Sequence, residues 1–134
     1  MQVQPYLMFE GRCDEAAEFY RKALGAEITM LKRFKESPDT GMCSPATLDK
    51  VMHMSFRIGD TTLLASDGRC TGQANFQGFS LSLTVPNDSE AERLFAALAE
   101  GGQVQMALTK TFFSSRFGMV ADRFGVPWMI SVAP

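Results

Sequence analysis

The feature that most constrains this chain is an order of elements that occurs twice. The first pass opens on "VQPYLMF" (residues 3–9), an apolar-rich strand in which Pro5 marks a sheet edge or a bulge. Gly11, Arg12, Cys13 and Asp14 punctuate, and "DEAAEFYRKALG" follows, with Ala16, Phe19, Tyr20, Ala23 and Leu24 recurring at helical spacing. Asp14 and Glu15 in its first turn and Arg21 and Lys22 near its end suit the helix dipole, and Gly25 is a C-terminal stop. "AEITMLKRFK" is β-like, residues 36–49 form a loop, and "VMHMSFRI" and "TTLLAS" flank the hairpin signal Gly59-Asp60. After a polar stretch the order returns: strand "GFSLSLTV", helix "NDSEAERLFAALAEGG", strands "QVQMAL", "RFGMVAD" and "PWMISV". Asn87, three residues before Glu90, is a capping-box candidate, and Ala91, Leu94, Phe95 and Leu98 form the second helix's stripe. The expectation is an α+β fold: one domain over 1–134, made of two βαβββ modules at about 1–67 and 78–134, joined by 68–77. A helix covers one side of each sheet and leaves the other free to curve around a cavity.

Alternation assigns the faces. In 79–85, Phe79, Leu81, Leu83 and Val85 should pack under the second helix, with Ser80, Ser82 and Thr84 on the free face. In 51–58, Met52, Met54, Phe56 and Ile58 are the apolar side and His53, Ser55 and Arg57 the polar one. In 127–132, Trp128, Ile130 and Val132 oppose Pro127, Met129 and Ser131. A free face of short polar groups is either solvent-exposed sheet or the wall of a pocket.

Charge and composition remove several classes. A net charge of −2, with no basic cluster beyond Lys32-Arg33-Phe34-Lys35, offers nucleic acid no phosphate-tracking face. No apolar run is long enough for a membrane helix, and the first residues lack the pattern of a signal peptide. Cys13, Cys43 and Cys70 make no disulfide framework, which fits a reducing, cytoplasmic setting. Nine methionines suit adaptable packing or a soft pocket wall.

"PYLMFEGRCDEAAEFYRKALGAEI", "LLASDG", "GFSLSL" and "KTFFSSRFGMVADRFGVPWMI", in this order, resemble the PhnB-like branch of the vicinal-oxygen-chelate superfamily, the glyoxalase/bleomycin-resistance fold. The branch is often labelled a 3-demethylubiquinone 3-methyltransferase domain. The resemblance implies paired βαβββ modules around a cavity, and a homodimer. It also implies where metal-dependent members would hold their ion: at or next to Pro5, at Ser80, and at Met129, where they carry a glutamate. None of those side chains is a proper ligand for a divalent ion. A single histidine excludes a two-histidine site within one chain. We therefore expect no metal and no cofactor. Methyl transfer also lacks support, because no glycine-rich strand-to-helix turn opens either helix.

The remaining candidates each carry a plain alternative. His53 is the one residue poised to titrate near neutrality, as an acid/base or as a hydrogen-bonded strand residue. Asp67 could hold a substrate group or start the Asp67-Gly68 turn. Cys13 is either a dipole-activated thiol or a small residue near the helix cap. Phe112 and Phe113 precede a strand, one of them a pocket wall or lid, and Arg116 could meet an anion. Trp128 belongs to the core side. No nucleophile–base pair and no phosphate-binding loop is visible. Two functional classes stay open. One is a metal-independent binder of an apolar or aromatic small molecule, contacted by His53, Ser55, Asp67, Ser80, Ser82, Phe113, Arg116 and Met129. The other is an enzyme using His53 or Asp67 as acid/base.

Overall fold

The computed structural model describes residues 1–37 and 45–134. Cys43 and the middle of the loop read at 36–49 lie outside them. The chain divides into two compact units, Met1–Ala74 and Asn75–Pro134.

The first unit contains β1 (Tyr6–Met8), α1 (Cys13–Leu24), β2 (Glu27–Arg33), β3 (Val51–Ile58) and β4 (Thr61–Ser66). Its sheet has the order β1-β4-β3-β2, with β1 parallel to β4 and the other pairs antiparallel. The second unit repeats this with β5 (Leu81–Val85), α2 (Asp88–Ala99), β6 (Gln103–Thr109), β7 (Phe117–Ala121) and β8 (Pro127–Val132). Its order is β5-β8-β7-β6, with β5 and β8 parallel.

Each helix is pinned to its sheet through the stripe the sequence carries. In the first unit Tyr20 is fully buried, its ring nearly parallel to Phe56 at 6.0 Å and tilted against Phe9 at 6.1 Å. Losing such a ring costs about 3–5 kcal/mol. Gly25 and Ala26 close α1 by donating their N–H groups to the carbonyls of Arg21 and Tyr20. In the second unit Ala91, Leu94, Phe95 and Leu98 are all buried. Gly118 of β7 lets α2 come close, since a Cβ there would stand 2.8 Å from the Phe95 ring. At the start of α2 the Asn87 side chain accepts from Glu90 N–H at 2.9 Å, the cap its spacing predicts.

Several boundaries differ from the sequence reading. β1 covers Tyr6–Met8 rather than 3–9, and it is an edge strand, where proline is tolerated. Pro5 still accepts Leu64 N–H through its carbonyl at 2.9 Å. β2 stops at Arg33, and Phe34–Glu36 make a 3-10 turn. Charge pairs bend the chain there, Arg33 to Asp14 at 2.9 Å and Lys35 to Asp49 at 2.9 Å. β5 begins only at Leu81, so Phe79 does not pack under α2: it is 41% exposed, its ring edge-on to Phe76. The turn before β8 runs Asp122–Gly125, closed by the Gly125 N–H donating to the Asp122 carbonyl at 2.9 Å. The Asp122 carboxylate fixes this turn, accepting from Phe124 and Val126 N–H and from the Trp128 indole.

The exit from β4 is also held. Glu10 has left-handed backbone (φ 51°), and its carboxylate accepts from Arg69 N–H at 3.2 Å and Thr71 Oγ1 at 2.9 Å. Its carbonyl accepts from Gly72 N–H at 2.9 Å.

Candidate functional site

In each unit one sheet face is sealed by the helix, and the opposite face carries most of the candidate residues. In the first unit, register sets His53 beside Lys32, Ser55 beside both Met30 and Leu64, and Arg57 beside Glu27. His53 is half-buried; its Nδ1 lies 3.3 Å from Tyr6 Oη, with the rings 5.7 Å apart. Ser55 Oγ accepts from Thr29 Oγ1 at 3.1 Å, and Arg57 is paired to Glu27 at 2.5 Å. This face mixes bonded polar and charged groups with the apolar side chains of Tyr6, Met8, Met30 and Leu64.

The second unit's free face differs. Three strands place Met129, Met119 and Met106 side by side in one row, with Ser82 next to Met129. The parallel row is Thr84, Ser131, Phe117 and Thr109. Phe113 packs edge-on to Phe117 at 5.1 Å. Single-strand alternation found Met129 and Ser82 but missed Met106 and Met119. For Met119 the signal was the alternation in "RFGMVAD"; Met106 shares the parity of Val104 and Leu108, and the register shifts on either side of it bring it into the row.

The other candidates fall elsewhere. Asp67 is fully buried. Its Oδ1 accepts from Gly11 N–H at 3.0 Å and Cys13 N–H at 2.8 Å, and its Oδ2 from Val51 N–H at 2.7 Å. Its carbonyl takes Cys70 N–H, so of the two readings open to it the turn is the one seen. Ser80 lies just ahead of β5, half-buried. Arg116 ion-pairs with Asp88 at 3.5 Å and Glu92 at 3.4 Å, which turns its charge onto α2. Phe113 is half exposed and Phe112 wholly so. Cys13 is buried, and desolvation, then the charges of Asp67 and Asp14, push its thiol pKa up against a smaller opposing effect of Arg33. A thiol so placed is a core residue, not an activated nucleophile.

The three positions at which a metal would be expected do not fit one. Pro5 offers no side-chain donor, Ser80 only a hydroxyl, and Met129 a thioether inside a methionine row. Among the described residues no three His, Cys, Asp or Glu side chains group to hold an ion. The N-terminus of α1, where an anionic cofactor group would bind, is filled by the chain's own Asp67.

Tandem βαβββ units with these strand orders are the glyoxalase/bleomycin-resistance fold. A protein of that fold from Burkholderia phytofirmans matches at 13% identity, a TM-score of 0.60, and 98% and 96% coverage of the two chains. Within this class the chain belongs to the 3-demethylubiquinone-9 3-methyltransferase family, matched over residues 1–131. Protein YjdN of Escherichia coli (strain K12) is 37% identical, covering 98% of this chain and 95% of its own. Protein PA1353 of Pseudomonas aeruginosa is 42% identical with a TM-score of 0.88, covering 99% of this chain and 98% of its own. The PhnB protein of Bacillus cereus is 27% identical with a TM-score of 0.82, covering 99% of this chain and 100% of its own. No helix among the described residues is long and apolar enough to cross a membrane.

Proposed function

We propose that this chain is a metal-independent small-molecule binding protein that holds its ligand on the free face of the second unit's sheet. The observation that carries this reading is the methionine row Met129–Met119–Met106, edged by the Ser82 hydroxyl. Thioether side chains adapt to the shape laid on them, and a few hydroxyls orient it. A dimer of the chain, which the resemblance implies, is part of the same reading. Native mass spectrometry with elemental analysis, on protein purified without chelator, tests it. The expected result is a metal-free dimer with a co-purified organic mass, lost on Met119→Ala. Stoichiometric zinc, nickel or manganese overturns it.

The 3.3 Å approach of Tyr6 Oη to His53 Nδ1 favours one alternative, an enzyme with His53 as acid/base. Asp67, the other acid/base considered, has both carboxylate oxygens on backbone N–H groups. Incubating the co-purified molecule with fresh protein separates the two readings. We expect its mass to stay unchanged; a conversion abolished by His53→Ala installs the enzyme.

A further inference from the structure

We infer that the ligand is an uncharged, flat aromatic molecule, and that Phe113 and Phe117 select for its aromaticity. The inference rests on the binding reading above and narrows it to a ligand class.

Charge comes first. Strands β5 to β8, all within the described residues, contain no Asp, Glu, Lys, Arg or His. The first unit's sheet carries Glu27, Lys32, Arg33, His53 and Arg57. A charged ligand laid across these strands would lose water and gain no counter-charge from the strands themselves. Arg116, close in sequence, is already paired with Asp88 and Glu92.

Shape and surface chemistry come next. From Met106 to Met129 is two inter-strand steps, roughly 10 Å, so the thioethers floor a strip long enough for fused rings. Sulfur makes favourable contacts with aromatic rings that a saturated ring of equal area does not receive. Beside the middle of the strip, two residues along β7 from Met119, stands Phe117, with Phe113 edge-on to it at 5.1 Å, an arrangement that meets a third ring by edge or offset face.

The Phe113 ring is also held in advance. Thr111 Oγ1 accepts from the N–H of Phe113 at 3.3 Å and of Ser114 at 3.1 Å. Buried Ser114 Oγ donates towards the Val132 and Arg116 carbonyls and accepts Val132 N–H at 2.9 Å. An aromatic on a loop fixed this way loses little freedom when a ligand arrives. Ser82 and Ser131 supply hydroxyls for a polar substituent on the ring's edge.

Four probes on related two-ring skeletons test the inference: naphthalene-2-methanol, its fully saturated decalin analogue, naphthalene-2-carboxylate and naphthalene-2-methylammonium. The readout is the methyl spectrum of protein carrying 13C-methyl methionine, nine signals in all. The signals of Met106, Met119 and Met129 are assigned by single Met→Leu substitutions. We expect naphthalene-2-methanol to move those three upfield and to bind about tenfold tighter than each of the other probes. Phe113→Leu, at an exposed loop position, should shrink the preference over the decalin analogue several-fold. Equal binding of the decalin analogue at the same three methyls overturns the aromatic selection, and equal binding of either ion overturns the neutrality; both leave the binding reading standing. No shift of those methyls with any probe overturns both readings.

Discussion

At the corner where β3 begins and β4 ends, the first unit uses a buried carboxylate; where β7 begins and β8 ends, the second uses a buried hydroxyl. Asp67 gathers the N–H groups of Gly11, Cys13 and Val51, and so fastens the start of α1 to two strands. Ser114 fastens only strand to strand, through the backbone of Arg116 and Val132. The start of α2 is instead capped by its own neighbour, Asn87. One topology thus tolerates two chemistries at its joints, because the joint needs only its polar groups satisfied. The free faces diverge in the same way, charged in the first unit and uncharged in the second.

If the first joint concentrates three bonds in one side chain, breaking it should hurt most. Asp67→Ala strands three backbone donors in the interior, and we expect a loss of about 3–5 kcal/mol in denaturant unfolding. A loss under about 1 kcal/mol would show that relaxation or water replaces the carboxylate. Ser114→Ala should cost less, about 1–3 kcal/mol, since its lost partners include carbonyls with further capacity. Equal losses at the two sites would erase the contrast.

The first joint should also carry a pH signature that the second lacks. Cys13, which donates its N–H to Asp67, has its thiol pKa raised by burial first and then by Asp67 and Asp14. In the unfolded chain the thiol ionises near its ordinary value of 9.0, whereas the folded one keeps its proton. The contribution is therefore whole below that value and is lost as pH rises above it, by about 1.4 kcal/mol per pH unit. Wild type should lose stability faster than Cys13→Ala between about pH 8 and about pH 10. Parallel curves would sink the claim. The smallest effect expected is from Asn87→Ala, about 1 kcal/mol, read as reduced hydrogen-exchange protection in the first turn of α2.

Both helices, the hairpin at Gly59-Asp60 and the full extent of β3, β4 and β8 were legible from periodicity and turn chemistry. The ends of β1, β2 and β5 were not, because edge strands and charge pairs decide them, and those are tertiary facts. The candidate site was legible one strand at a time: Met129 and Ser82 fell on the free face, but the row needs a register that alternation does not contain. Asp67 shows the converse. A carboxylate before glycine signals a turn, and only the fold reveals the three distant N–H groups it gathers.

The grip of Glu10 on the chain leaving β4 has a consequence for anyone dividing the gene. Residues 68–72 look like a polar connector, yet Arg69, Thr71 and Gly72 are bonded to Glu10. A side chain at Gly68 would run into that carboxylate, and its positive φ already disfavours one. Cutting the chain in two, or opening a permuted terminus, at Asp67-Gly68 would discard the fastening. The same break moved past Gly72, to Gln73 or Ala74, would leave it on the fragment that carries Glu10.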